Sequence, residues 1–339
     1  MFLHFLLNMI YLEQIINYRE CIMKKLLTLF MSLLLVFSLT GCSETYLKVD
    51  ALFWQNSTQG YDNTFYEELV YDVTCEKTTI SNSTAVSNEE VELVINNGSY
   101  TVISKSAPEK GTSVVCVQTT LRIDSKYVDK TDNDREMPFV DEITSTCYFV
   151  SNNFKPISST KNVKANSLGI ESEKYAIFYY EYNYEVNYNG NNANVTFNEI
   201  KDDSNIINAD AVKEYKDATK NAYLDNEMLL FAPRGYNLLS NTNFSVSFSS
   251  LDVISQTTRG MYFTTMANNQ SNPTLVTVNA LGQEIETVKV IFTLTGQFTG
   301  TPIECYYASK AGNRNRLVVC YTEMYGNLGY LKYTLKEIK

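Results

Sequence analysis

Histidine is nearly absent from this sequence: 339 residues contain one, His4. Nucleophilic dyads and triads that rely on an imidazole base therefore have no base beyond residue 4, and zinc sites built on histidine have no ligands there. G-x-x-x-x-G-K-[ST], G-x-G-x-x-G and C-x-x-C are also missing, which excludes the usual phosphate cradle, dinucleotide turn and thioredoxin-type redox pair. No metal and no cofactor is expected. Cations are in the minority, 28 Lys and Arg against 38 Asp and Glu. Nucleic-acid binding draws on cations that neutralise phosphates, so no nucleic-acid partner is expected either. The catalytic chemistry left is carboxylate-based, as in glycoside hydrolysis with acids about 5 to 10 Å apart. Adjacent pairs such as Glu67-Glu68 and Glu89-Glu90 face opposite ways on a strand, most such charges read as a solvated face, and no residue is singled out as catalytic. The chain is read as a non-enzyme.

What is present begins with Lys24 and Lys25, which stand directly before an uncharged run from Leu26 to Thr40. A basic segment ahead of about fifteen apolar residues has the form of a secretory signal. It falls short of the roughly 20 residues that a spanning helix needs. The run ends in Leu39-Thr40-Gly41-Cys42, which resembles the lipobox of bacterial lipoprotein precursors at all four positions. That resemblance implies a lipoprotein signal peptidase that recognises Leu39, Thr40 and Gly41 and cuts before Cys42. It further implies a diacylglycerol on the Cys42 sulfur and a protein lipid-anchored on the extracytoplasmic face of the cell membrane. Buried methylenes contribute about 0.8 kcal/mol each, so two or more long chains hold almost irreversibly. Twenty-two residues precede Met23; either Met23 is the true start or the basic segment is unusually long. Losing residues 1–41 removes Arg19, Lys24 and Lys25 with Glu13 and Glu20, which moves the formal charge from −10 to −11. So acidic a body, taken as a whole, is expected to be repelled by an anionic membrane surface except through its lipid.

After the signal, period two dominates. Tyr180, Tyr182, Tyr184, Val186 and Tyr188 alternate with Glu181, Asn183, Glu185 and Asn187, the pattern of a half-buried strand. Asn189-Gly190 suits a tight turn, and Ala193, Val195 and Phe197 continue the alternation beyond it, so a hairpin is predicted. The same grammar marks strands at Leu69–Cys75, Val91–Ile95, Val115–Ile123 and Ile143–Phe149, with Asn97-Gly98 as a second turn. Later strands are predicted around Phe244–Phe248, Val288–Leu294, Ile303–Ala308, Leu317–Thr322 and Leu328–Leu335. One short helix is predicted near residues 225–232, capped by Asp225 and stopped by Pro233; its apolar residues point to burial against a curved sheet. The expected fold is mainly β, a curved antiparallel sheet or half-barrel with that one buried helix. The divisions are residues 1–41 (signal), 42–50 (lipidated tether), 51–168 and 169–339 (two β halves), the last boundary lying in polar Asn162–Glu173.

Antiparallel strands and one buried helix behind a lipobox are similar in pattern to the half-barrel lipoprotein carriers of the LolA and LolB type. The resemblance implies an apolar small molecule, such as an acyl chain, held between sheet and helix, with the aromatic stripe Tyr180, Tyr182, Tyr184 and Tyr188 as the candidate ligand face. The same stripe also reads as ordinary core. The alternative function is a structural or interaction lipoprotein that contacts an envelope protein or glycan and encloses nothing. Among the cysteines, Cys305 and Cys320 are equidistant from Gly312-Asn313, and Cys116 and Cys147 from Thr131-Asp132. Opposed positions on paired strands can meet disulfide geometry, so both pairs are candidate disulfides, with small apolar thiols as the open alternative.

Overall fold

Segments that alternate apolar with polar residues bury one face only when extended. The computed structural model describes residues 47–76, 90–203, 210–239, 245–265, 275–294, 303–310, 315–323 and 328–339. Among these, fifteen strands form: β1 (Tyr66–Glu76), β2 (Val91–Ser106), β3 (Val114–Asp129), β4 (Arg135–Val150), β5 (Pro156–Glu171), β6 (Lys174–Asn189), β7 (Asn192–Asp202), β8 (Val212–Tyr215), β9 (Ser245–Asp252), β10 (Thr257–Thr265), β11 (Leu275–Ala280), β12 (Gln283–Leu294), β13 (Ile303–Ala308), β14 (Leu317–Glu323) and β15 (Tyr330–Ile338). They make one curved, unclosed antiparallel sheet in the order β8-β7-β6-β5-β4-β3-β2-β1-β15-β14-β13-β12-β10-β9, with β11 paired to β12. The first eight strands are a meander; β1 then takes β15 as its second neighbour.

All described residues belong to one compact unit, Thr45–Lys339. The polar stretch Asn162–Glu173 builds much of β5, whose pairing with β6 runs from Ser158↔Asn187 to Glu171↔Lys174. Residues 168 and 169 are thus neighbours within a strand. Curling brings the two ends of the sheet near each other without a shared ladder: Lys213 Nζ on β8 donates to Gln256 Oε1 beside β9 at 2.8 Å. Val186, Val195 and Phe197 pack with Leu251 and Val253 across that gap.

Two glycine-containing turns have different outcomes. At β6–β7, Asn189 pairs with Asn192, and Gly190 supplies the positive φ of 62° that the two-residue turn requires. Asn97-Gly98 makes no turn, and β2 runs through it with a bulge between Ile95 and Asn97. A Cβ on Gly98 would meet the Val73 carbonyl oxygen at 2.4 Å, so here the glycine serves a close backbone approach inside a strand.

The predicted helix is also corrected. Among the described residues there is no α-helix, and segment 225–232 forms a 3-10 turn at Asn226–Met228 followed by another at Ala232–Gly235. Asp225 does cap, accepting the Glu227 N–H at 2.8 Å. Pro233 follows before two α-turns can be completed, and a helix that short does not recover the entropy of its nucleus. The tighter turns instead let Met228, Phe231 and Ala232 drop into the main core with residues from β1 to β4 and from β12 to β15.

Candidate functional site

Residues 222–238 form a plug inside the curled sheet, and two buried carboxylate centres hold it there. The plug begins at the open edge, where Ser249 of β9 donates its N–H to the Ala222 carbonyl at 2.9 Å and accepts the Leu224 N–H at 3.0 Å. Phe231 then enters an aromatic nest of Trp54, Phe149 and Phe154, with ring centroids 5.1, 5.6 and 6.0 Å away. Tyr307 of β13 donates its hydroxyl to the Leu230 carbonyl at 2.7 Å, and Asn315 donates to the Tyr236 carbonyl at 2.7 Å.

The first carboxylate centre is Glu67, in phase on β1 with Leu69, Tyr71 and Val73 and therefore pointing inward. Arg234 Nη2 of the plug and Arg316 Nε before β14 each reach it at 2.6 Å. Glu67 and Arg234 are both 2% exposed. Burial pushes the Glu67 carboxyl up, but the two guanidinium groups outweigh it and hold the group below the usual carboxylate range.

The second centre joins Asp225 and Glu227. Ser159 of β5 donates to Asp225 at 2.6 Å, and Tyr188 of β6 donates to the same carboxylate while sharing a 3.0 Å hydroxyl contact with Tyr223. Burial raises the Asp225 pKa, the nearby Glu227 charge raises it further, and the donors recover only part of the shift. Burial also acts on Glu227, yet Lys161 at 3.1 Å and the Tyr184 hydroxyl outweigh it and leave that group lowered. Beside these acids, burial drives the Tyr184 and Tyr188 hydroxyls well above their ordinary pKa, which keeps both as donors.

The tyrosine stripe thus lies on one face as predicted, but its members differ in use. Tyr180, Tyr182 and Tyr184 stack along β6 with centroids 6.3 and 6.5 Å apart and near-parallel rings. Tyr184 and Tyr188 spend their hydroxyls on the plug, whereas Tyr180 and Tyr182 are half-buried against Phe197 and its cluster. Between plug and sheet lies a hollow of ≈ 30 Å³, lined in part by Tyr71, Tyr100, Glu227, Arg234 and Leu317. A larger hollow of ≈ 180 Å³ separates Leu229 from β9, β10 and β12. Among the described residues no group of three or more His, Cys, Asp and Glu is placed to hold a metal ion.

No protein-family model and no curated protein matches the chain. A solved structure is similar to it: the crystal structure of a beta-barrel-like protein of domain of unknown function DUF1849 from Brucella abortus. Identity is 8%, the match covers 81% of this chain and 97% of that one, and the TM-score is 0.47.

The cysteine pairs separate cleanly. Cys305 and Cys320 are register partners on β13 and β14, buried, with Sγ atoms 3.4 Å apart as thiols; Gly312-Asn313 lies outside the described residues. Cys116 and Cys147 are not partners, because Cys116 faces Tyr148 and Val117 faces Cys147. The β3–β4 turn spans Lys130–Asp134, with positive φ at Asn133 and Asp134, where symmetry about Thr131-Asp132 assumed an even loop. One residue of register moves a side chain to the opposite face: Cys147 joins the main core, and Cys116 packs with Ala107 and Val114. The lipobox residues Leu39, Thr40, Gly41 and Cys42 lie outside the described residues. Sequence reasoning missed Glu67, Arg234 and Arg316; the one available signal was the phase of Glu67 with the inward residues of β1.

Proposed function

We propose that this protein is a cell-envelope lipoprotein, anchored through Cys42, whose body is a structural or interaction module that encloses no ligand. The observation that carries the second part is the size of the hollows between plug and sheet, ≈ 30 and ≈ 180 Å³, against the several hundred Å³ of a typical ligand site. An acyl chain has no room there while the two carboxylate centres hold residues 222–238 in place. The anchor rests on Lys24, Lys25, the apolar run and the four lipobox positions. No helix among the described residues is long and apolar enough to cross a membrane. The partner is an envelope protein or glycan. No catalytic role is assigned, since Asp225 and Glu227 are each occupied by donors from the fold itself.

Native mass spectrometry of the soluble Cys42→Ala body tests the empty interior. A mass equal to that of the polypeptide is expected, and a co-purifying lipid would restore the carrier reading with Tyr180 and Tyr182 as its contact. Fractionation tests the anchor: the parent stays with washed membranes, and Cys42→Ala is expected in the soluble fraction. Export also places Cys305 and Cys320 in an oxidising compartment, where exchange with a disulfide-bearing oxidase takes two electrons and two protons from the pair. Intact mass should then show one internal disulfide, with Cys75, Cys116 and Cys147 as thiols; five thiols would refute it.

A further inference from the structure

Which way an anchored body faces is set by where its chain enters and by what charges surround that point. Leu47, Ala51 and Trp54 are all buried. The Asp50 N–H donates to the Gly235 carbonyl at 2.9 Å, and Gly235 is so close that a Cβ there would meet Val49 Cγ1 at 2.4 Å. The entering chain is therefore fixed to the plug from Leu47 onward. Five residue steps separate Cys42 from Leu47, and fully extended they reach at most about 18 Å. A body tied this tightly cannot present any end at will.

The end at which the chain enters is defined by its contacts. It holds the start of β1, the β2–β3 connection and the β4–β5 turn, joined by Ser106 N–H to Phe65 O at 2.9 Å and Ser151 N–H to Ser113 O at 2.8 Å. The opposite end holds the β3–β4 and β5–β6 turns, about 50 Å away along sixteen-residue strands such as β3. The acidity of the chain is not shared equally between them. Residues 129–136 and 171–174 carry six carboxylates against Lys130, Arg135 and Lys174. The entry end is close to balanced, with Lys48, Lys105, Lys110, Lys155 and Lys339 against Asp50, Asp62, Glu68, Glu109 and Glu337. Exposed large side chains occur at both ends, Leu52 and Tyr66 at one and Ile170 at the other; chain entry and charge separate them.

We infer that the entry end is a membrane-facing surface, set against anionic lipid headgroups as the less acidic of the two, and that the acidic rim at 129–136 and 171–174 points away from the bilayer. The inference rests on the Cys42 anchor. Basic residues within a Debye length of anionic headgroups are attracted and acidic ones repelled, so the short tether and the charge gradient favour the same orientation. It leaves the acidic rim as the surface open to partners.

The test uses the lipidated protein on vesicles of phosphatidylglycerol and phosphatidylethanolamine doped with a nickel-chelating headgroup lipid. A spin label is placed on an unnatural side chain at Lys110 or, in a separate sample, at Glu173, both exposed turn positions. Relaxation by headgroup nickel should be several-fold stronger at 110 than at 173. Protein that stays bound with equal or stronger relaxation at 173 would overturn the orientation alone. Protein that washes off, or a Cys42→Ala sample that binds as well as the parent, would overturn the anchor itself.

Discussion

Glu67 and Asp225 are both carboxylates buried under the same plug, yet the fold treats them in opposite ways. Glu67 is met by two guanidinium groups and has its pKa lowered; Asp225 is met by hydroxyls and a backbone N–H, beside the like charge of Glu227, and has its pKa raised. The difference teaches that the donors around Asp225 do not offset burial beside the like charge of Glu227, whereas two opposite charges at contact distance offset it at Glu67.

The hardest blow to the comparison is Glu67→Gln. It strands Arg234, 2% exposed, and Arg316, 14% exposed, and breaking one side of a buried ion cluster costs about 3–5 kcal/mol. Urea unfolding at pH 7 should show that loss; a loss below about 1 kcal/mol would mean the cluster is solvated, as surface pairs are. Next is Tyr188→Phe, which takes one donor from Asp225. A hydrogen bond to a charged group contributes about 1.5–3 kcal/mol, and a loss of that size is expected. Smallest is Asp225→Asn, expected within about 1 kcal/mol of the parent at pH 7, because relief of the charge offsets weaker acceptance and Asn caps as well as Asp.

pH sharpens the contrast because Glu67 and Asp225 give slopes of opposite sign. Lowered in the fold, Glu67 contributes stability that is complete above its unfolded pKa and is lost as pH falls through the folded one. Raised in the fold, Asp225 costs stability above its folded pKa, and that cost disappears as pH falls toward the unfolded value. The gap between parent and Glu67→Gln should therefore close on acidification. Any advantage of Asp225→Asn over the parent should shrink over the same descent. Parallel profiles for the two variants would show that the two carboxylates are not different in kind.

Much of the sheet was legible because period two is a local signal: β6, the Gly190 turn and the facing of Cys305 with Cys320 all follow from residues near one another. Cys116 and Cys147 failed for a local reason as well, since a loop of odd length in place of an even one moves every partner by one. Asn97-Gly98 carried turn chemistry but met a neighbouring strand's carbonyl, a contact that spacing along the chain does not report. The plug was legible as buried but not as 3-10 turns. Glu67 with Arg316 was beyond reach, because 249 residues separate them and only the pairing of β1 with β15 and of β15 with β14 brings them together.

That pairing also determines how the protein comes into being. β1 has β2 on one side from the start, but its other edge stays unpaired until β15 (Tyr330–Ile338) is available. Pairing of that kind between remote segments is slow, and an open, alternating strand edge meanwhile is a template for aggregation. A chain read as crossing the membrane before it folds would meet this hazard outside the cytoplasm, and loss of the last ten residues would make the delay permanent.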